Sequence, residues 1–551
     1  LSLGMRKTVV WSLALLCIAT APTPHEAGWF VFAPKNHFSP GEIGLAHWLD
    51  APAGKHGFVQ MRGDRLVFEN GKPVRFWGVN IGSEECYPET PTADSLAAYW
   101  AKYGVNGVRL HKFTWTAHHG DSSTVLRPEF WQRFDYFQQK LRQRGIYYGW
   151  SHIYGHRVRP ADRTRLLAYD EIANLRYPWR HLNGTTASLV NFAPDLQDLN
   201  IELTVNMLRH VNPHTGKRYA DDPALAFIEL QNEDNIYWGA IQESLKQAPT
   251  YRRLLCRQFA AWLRSRYGTD ERLRAAWGSD VLPAGEGIAV ENVFPNPSHG
   301  LFGHAYETAQ RSGTPMPQHL LDKMAFLYEQ QDRFYQRFVR AIRATGYRGY
   351  IVGSCWQAGS GVSHYYNLLA DYRAGAIDRH NYFGGSGHNL DTGRVATASM
   401  LARPGAGLLG TGLQQVADRP FVLSEWMSMM PNEWIAESAP LVAFYGMGLQ
   451  GWDGSFHFAS NQPGFTAGLA SRWGGVYNVD SPTQIGLYPA LARIVHRGDV
   501  QEGQVVSVRR VDTTALQQGR LGFRETVSQI GDAKDFGGDV PPHTLAVGRA
   551  V

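Results

Sequence analysis

Cysteine is scarce in this chain: four residues in 551, at positions 17, 86, 256 and 355. They show no metal-ligand spacing, and with Cys17 inside an N-terminal apolar stretch at most one disulfide can form among the rest. A disulfide-stapled scaffold is therefore excluded, and the fold must be held by its core. A dominant charge sign is lacking too. The 54 Lys+Arg against 49 Asp+Glu leave +5, spread thinly over the chain. No Lys/Arg-rich run of the kind that binds nucleic acid stands out. The apolar run at 9–19 is too short to span a bilayer comfortably.

Several catalytic signatures are also missing. The first strand of the repeating part runs into Asn80-Ile81-Gly82-Ser83-Glu84 rather than a glycine-rich dinucleotide turn. Ser424 is not in a Gly-x-Ser-x-Gly elbow. His111, His118 and His119 lack a matching carboxylate pattern, and 76–81 carries no His-x-His, so neither a metal nor a cofactor is expected. Gly384-Gly385-Ser386-Gly387 is too isolated for a phosphate cradle and reads as a flexible loop.

Apolar and aromatic residues are plentiful. Hydrophobic residues make up 44%, with 17 Trp, 25 Tyr and 26 Phe, against 19% charged. A chain this long and apolar buries a large core, which excludes a disordered or fibrous protein. At the N-terminus, Met5, the basic pair Arg6-Lys7 and the apolar run 9–19 read as a secretory signal over 5–27. Cleavage falls after Ala21 or near Ala27, which implies a secreted or periplasmic protein with no membrane span after cleavage. An uncleaved anchor is the other reading. Beyond Asp499 the hydrophobic pattern fades, so 498–551 reads as a tail or the start of a truncated further domain. The start at Leu1 and the weak end suggest an incomplete reading frame.

Between these ends the pattern alternates. A 28–74 extension carries a hairpin with an Asn70-Gly71 turn. Strands follow at 76–81, 107–111, 146–152, 224–231, 350–356, 376–382, 421–425 and 449–452. Helices are expected at 96–103, 128–144, 251–267, 273–277, 320–345 and 487–495, the second with Phe130, Phe134, Phe137 and Leu141 on one face. Eight strands alternating with helices predict an α/β fold, a (β/α)8 barrel over 75–497, with long insertions at 153–222 and 268–318.

In such a barrel the C-terminal strand ends converge on one mouth. Strand four ends Leu230-Gln231-Asn232-Glu233, and strand seven ends Val422-Leu423-Ser424-Glu425. A Glu directly after an apolar run costs stability unless it has partners or a task. Two such carboxylates suit cleavage of a glycosidic bond, one as acid and one as nucleophile, their environments holding the two protonation states apart.

This order of residues resembles the retaining glycoside hydrolases of clan A, the cellulases, mannanases and β-galactosidases. The resemblance covers roughly 57–497. It implies Glu233 as acid/base, Asn232 as ligand of the sugar 2-hydroxyl and Glu425 as nucleophile. It further implies Arg109 of strand two beside the nucleophile, His380 and Tyr382 of strand six with the Tyr hydroxyl on the nucleophile, and Trp452 of strand eight as the floor under the cleaved sugar. A guanidinium at Arg109 favours an ionised Glu425. An aromatic face at Trp452 suits the apolar face of a pyranose. His111 and His152, ending strands two and three, are further binding candidates.

Other residues stay open. Asp234 supports the site or belongs to a plain loop; Glu84 and Glu85 read as a solvated loop. His156, Arg157, Arg159, Arg163 and Arg165 after strand three admit an anionic polysaccharide. With Asp162 and Asp170 nearby, internal ion pairs explain them more simply. The function implied is a secreted retaining β-glycosidase acting on an oligo- or polysaccharide, with transglycosylation by the same residues as a variant. A carbohydrate-binding protein on an inactive barrel is the alternative. Sugar identity, endo or exo action and oligomeric state are not legible.

Overall fold

The computed structural model describes residues 38–357, 359, 361–385, 395–403, 407–466, 468, 470–471, 475–530, 532–539 and 548–550. The expected signal segment, Cys17, and Ser386-Gly387 of the glycine-rich loop lie outside them. Eight parallel strands form the centre: β1 Phe76–Gly82, β2 Gly107–His111, β3 Tyr147–Ser151, β4 Leu225–Glu229, β5 Tyr350–Val352, β6 Ile377–Phe383, β7 Phe421–Ser428 and β8 Gly454–His457. Each pairs with its neighbour in chain order, and β8 pairs with β1. The ring closes between β5 and β6 through a parallel bridge from Val352 to Ala376, with the Ala376 N–H donating to the Ile351 carbonyl at 3.0 Å. This is a closed (β/α)8 barrel, as the alternation predicts.

The strands form where short β-branched and aromatic runs are bounded by turn residues, and burial on both faces is why they read as continuous apolar stretches. The barrel is filled from below by rings. Phe227 stacks on Tyr350 at 5.1 Å and meets Phe456 edge-on at 5.6 Å. Gly78 and Gly149 make room for them: a Cβ at either would run into Phe456 or Phe227. Polar side chains occupy the layer above.

Helices cover the outside. Pro128–Gln143 starts with Pro at its first turn, buries Phe130, Phe134, Phe137 and Leu141, and gives way to Gly145 at φ 78°. Burying each of those rings is worth about 1.5–3 kcal/mol. The long helix Gln318–Ala344 buries Met324, Leu327 and Phe334, as its spacing predicts. At the lower end, strands Val59–Arg62 and Arg65–Phe68 pair as a hairpin. Asn70-Gly71 turns the chain from Phe68 back to Val74, with a single bridge between Val67 and Pro73.

Two expectations need correction. The eighth strand is Gly454–His457, not 449–452. Leu449 closes the helical segment Val442–Leu449, and Trp452 follows in a turn whose N–H donates to the Gly446 carbonyl. The true strand, Gly-Ser-Phe-His, carries one large apolar residue and gives almost no hydrophobic signal. Residues beyond 498 do not stand apart as a tail either. Strands β9 Glu525–Ile530 and β10 Ala533–Gly538 pair antiparallel, and β10 joins the barrel sheet at β6. Cys86, Cys256 and Cys355 are buried thiols.

Candidate active site

A cavity of about 340 Å³ opens at the C-terminal ends of the strands and is lined by both Glu233 and Glu425. Its floor is set by side-chain alternation. On β6, Asp378, His380 and Tyr382 point inward while Arg379 and Asn381 point outward. Between β6 and β7 the register shifts by one residue, so that His380 lies opposite Glu425. The extra residue is Ser424, turned toward Asp378 and His380. A bulge of this kind re-aims side chains next to a site.

Glu425 accepts hydrogen bonds on both oxygens. Arg109 Nη1 donates to Oε1 at 2.6 Å, and the Tyr382 hydroxyl donates to Oε2 at 2.7 Å. Burial and then the Glu425 charge hold the Tyr382 pKa well above its ordinary value, so the phenol remains a donor. Arg109 is wholly buried and all of its nitrogens are engaged. Nε and Nη2 fork onto Glu229, Nη1 also reaches Asn80, and Nη2 reaches Ser151 and the Asn232 Oδ1 at 2.7 Å. Burial opposes its charge, but the Glu229 and Glu425 carboxylates outweigh it and hold the guanidinium pKa above its ordinary value. At Glu229 burial pushes the pKa up and Arg109 works against it. Arg109 thus fixes both the Glu425 rotamer and the amide of Asn232, whose Nδ2 is turned away from the guanidinium.

Glu233 is held differently. It follows β4 at φ 47°, in the left-handed region that an L-residue adopts at a cost of about 1–3 kcal/mol. His380 Nδ1 lies 2.8 Å from its Oε1. Burial pushes the His380 pKa well below its ordinary value, with the Glu425 charge working against it. The Ser424 hydroxyl donates to Asp378 Oδ2 at 2.7 Å, so its oxygen must accept from His380 Nε2–H at 2.9 Å. That leaves Nδ1 with a lone pair facing Glu233, and a 2.8 Å contact between two acceptors requires a proton between them. The contact therefore holds a proton between His380 Nδ1 and Glu233 Oε1. An oxygen of Glu233 and an oxygen of Glu425 lie within 4.8 Å of one another.

Seven of the nine residues singled out from sequence meet here: Glu233, Glu425, Asn232, Arg109, His111, His380 and Tyr382. His111 lines the cavity, its Nδ1 at 2.9 Å from Ser151 Oγ and 3.8 Å from Glu425. Two do not belong. His152 lies past the end of β3 in the opposite phase to Ser151. It is buried against Phe113 and Trp150 with Nε2 on the Thr204 hydroxyl at 2.7 Å, and burial lowers its pKa to about 3. Trp452 sits at the lower end of the barrel against Phe421, outside the cavity lining.

The open residues are also placed. Asp234 accepts the Ser188 N–H at 2.6 Å and braces the loop behind Glu233; burial raises its pKa to about 7. Glu84 and Glu85 occupy the short turn Ser83–Cys86, outside the cavity lining. Arg163 forks onto Asp170 and Arg165 pairs with Glu202, while Arg157 donates to the His181 carbonyl. Among the described residues two groups of metal-ligand type arise, Glu229-Cys355-Asp378-His380 and Glu233-His380-Glu425. Their carboxylates are already engaged by Arg109, Ser424, Tyr382 and His380, and the guanidinium occupies the place between Glu229 and Glu425 that a cation would take.

No protein-family profile and no curated protein matches this chain. Solved structures do. The β-galactosidase of Rahnella sp. R3 superposes with a TM-score of 0.52 at 14% identity over 83% of this chain and 61% of that one. The β-galactosidase of the Antarctic haloarchaeon Halorubrum lacusprofundi gives 0.50 at 14% identity over 80% and 61%. The likeness is one of fold, the (β/α)8 barrel. This chain spans about 61% of the length of those two enzymes.

Sequence reasoning missed most of the barrel's cavity wall. Tyr154 lies in the loop after β3, with its hydroxyl 3.5 Å from Glu233. Trp179 and Trp238 stack on one another at 4.9 Å, and Trp356 follows β5. Phe458 stands one residue past β8, where an aromatic was expected at 452. Lys112, at φ 43°, also lines the cavity; burial lowers its pKa against the opposing charges of Glu425 and Glu233. The one available signal was position: Lys112 directly follows a strand end, and Trp356 closes the expected strand 350–356. Gln529 and Asp532, from the β9–β10 hairpin, carried no signal at all.

Proposed function

We propose that this chain is a retaining β-glycosidase that hydrolyses β-glycosidic bonds in an oligo- or polysaccharide by double displacement. The observation that carries the reading is the pair of carboxyls, with oxygens within 4.8 Å, in opposite hydrogen-bonding environments over one cavity. Retention calls for carboxyls about 5–5.5 Å apart, and inversion for about 6.5–9.5 Å. The likeness in fold to two β-galactosidases supports the class of reaction and leaves the sugar open.

In the first step the Glu425 carboxylate attacks the anomeric carbon and the bond to the leaving oxygen breaks. Glu233 transfers its proton to that oxygen, giving a glycosyl ester on Glu425 and an ionised Glu233. In the second step Glu233 takes a proton from water, the hydroxide oxygen bonds to the anomeric carbon, and Glu425 leaves as carboxylate. Arg109 and Tyr382 stabilise the carboxylate at both ends of the cycle. Asn232, its oxygen held by Arg109, offers Nδ2 to the sugar 2-hydroxyl. The apolar leader at 5–27 supports a location outside the cytoplasm.

The test is hydrolysis of a panel of β-glycans and aryl β-glycosides by wild type and Glu425→Ala, with the first-formed anomer read by NMR. Activity that vanishes in the variant, with the β-anomer formed first, is expected. Surviving activity removes Glu425 as nucleophile, and the α-anomer first removes retention. Sugar binding by a wild type that hydrolyses none of the panel would favour the inactive-barrel reading.

A further inference from the structure

Two loops meet beside Glu233. The long loop after β3 carries Trp179 at the head of the short turn Arg180–Leu182, where the Trp179 carbonyl accepts the Leu182 N–H at 2.9 Å. The loop after β4 carries both Glu233 and Trp238 and leads into the helix Ala240–Gln247. The loops are tied together: Gln247 accepts the Arg176 N–H at 2.9 Å, and its amide donates to the Arg176 carbonyl at 2.8 Å. Asn183 accepts the Tyr177 N–H at 2.8 Å, and the Tyr177 hydroxyl donates to the Ala187 carbonyl. On the other loop the Trp238 N–H donates to the Asn235 carbonyl at 3.2 Å. Both indoles therefore stand on hydrogen-bonded backbone.

The two rings stack at 4.9 Å between centroids with 20° between their planes, and both line the cavity with Glu233. Trp179 nevertheless keeps 42% of its surface exposed, while Trp238 is half-buried. An indole gains most when it is buried whole. Large apolar surface held open beside a cavity marks a place where something binds. Position names the occupant. The loops after β3 and β4 lie across the barrel from β7, which carries Glu425. Glu425 stands under the sugar it attacks, and the oxygen that Glu233 protonates joins that sugar to its leaving group. The leaving group therefore extends toward the loops around Glu233, where the two rings stand.

We propose that the Trp179–Trp238 pair is the leaving-group subsite, and that the leaving group it takes is a second pyranose stacked by its apolar C–H face. This rests on the glycosidase reading above and deepens it: the substrate is a sugar linked to a sugar rather than a glycoside of a small alcohol. Stacking on an indole needs a flat C–H face and depends little on any one hydroxyl. The pair thus selects a sugar at this position without reading its hydroxyls one by one. Binding energy gained on the rings, away from the reacting atoms, holds the glycosidic oxygen against Glu233. Rings that only clamp the two loops together would make no distinction between leaving groups.

The experiment varies the leaving group and keeps the cleaved sugar. β-Linked disaccharides and β-glycosyl fluorides of glucose, galactose and mannose are assayed on wild type, Trp179→Ala and Trp179→Phe, with circular dichroism confirming the folded state. Fluoride is too small to stack on the pair. The ratio of kcat/KM for the disaccharide to kcat/KM for the fluoride should fall by at least about tenfold in Trp179→Ala. It should recover in part in Trp179→Phe, which keeps a ring. An unchanged ratio, whatever the loss in each rate, would reduce the pair to a clamp between loops and overturn the proposal. A wild type that cleaves fluorides and no disaccharide overturns it too. A wild type inert on both classes overturns the glycosidase reading instead. The stacking site is then read by calorimetric titration with β-linked tetrasaccharides of the same sugars. A Kd raised by at least about tenfold in Trp179→Ala upholds it; equal affinity, or no binding to wild type, overturns it.

Discussion

Glu425 and Glu233 face one cavity and are held in opposite ways. Glu425 sits inside β7, directly after the Ser424 bulge, and meets two donors, the Arg109 guanidinium and the Tyr382 phenol. Glu233 sits past the end of β4 at φ 47° and meets His380 Nδ1, whose ring runs on through Nε2 to Ser424 and Asp378. Two glutamates of the same intrinsic acidity are thereby given different hydrogen-bonding partners. On the Glu425 side a fixed positive charge supplies the asymmetry; on the Glu233 side a chain of hydrogen bonds through His380 does. The first is insensitive to pH, since guanidinium stays charged, whereas the second can be reversed by one atom.

The largest test of this difference is Glu233→Ala. Loss of a general acid costs about 10²–10⁴-fold, and the cost depends on the leaving group. For an alkyl β-glycoside, kcat/KM should fall by about 10³-fold. With a dinitrophenyl leaving group, which departs without protonation, the first step should be almost unchanged. Equal losses on both substrates would mean that Glu233 does not donate the proton, and the contrast with Glu425 would collapse.

A smaller change reverses the acid side alone. In Asp378→Asn the new amide donates to the Ser424 oxygen, the serine hydroxyl swings to His380 Nε2, and Nδ1 becomes a donor to Glu233. A donor stabilises the ionised carboxylate. The alkaline limb of kcat/KM should therefore move to lower pH by about one unit, with the acidic limb and the fold in place. An unmoved alkaline limb, with the variant folded, would show that the relay does not set the proton on Glu233.

The strand-borne half of this arrangement was legible in the sequence and the loop-borne half was not. Apolar runs bounded by turns marked seven strands, and a carboxylate at the end of such a run is conspicuous, so Glu233 and Glu425 stood out, while Arg109 and His380 followed from the family resemblance. Where the rule failed, the reason is physical. His152 follows the same run as Ser151 but points the other way, and a one-residue error in phase turns a cavity residue into a core residue. Trp452 stood at the end of an apolar run that belongs to a helix and its turn, while β8 is short and carries small residues. The β9–β10 hairpin was invisible because polar residues dominate it. Its buried Lys534 reads as surface until Asn381 and Trp356 are seen around it.

That lysine gives the last way to sharpen the comparison. The cation beside Glu425 is Arg109, whose charge is permanent; a cation on the Glu233 side is Lys534, buried behind the cavity wall. Burial lowers its pKa to about 7, against the opposing charges of Glu233, Asp532 and Glu425. A lysine whose folded pKa lies below its unfolded value destabilises the fold more as pH falls, because the unfolded chain takes up the proton first. The wild type should therefore lose stability relative to Lys534→Met as pH drops from 9, where the folded lysine is neutral, to 6, where it is charged. From a folded pKa of about 7 and an ordinary value of 10.5, the advantage of the methionine variant should grow by about 2.7 kcal/mol over that interval. Thermal unfolding of both proteins at the two pH values measures it. A difference in Tm that is the same at pH 6 and pH 9 would mean that Lys534 keeps its charge throughout, and the two sides of the cavity would then share one kind of cation after all.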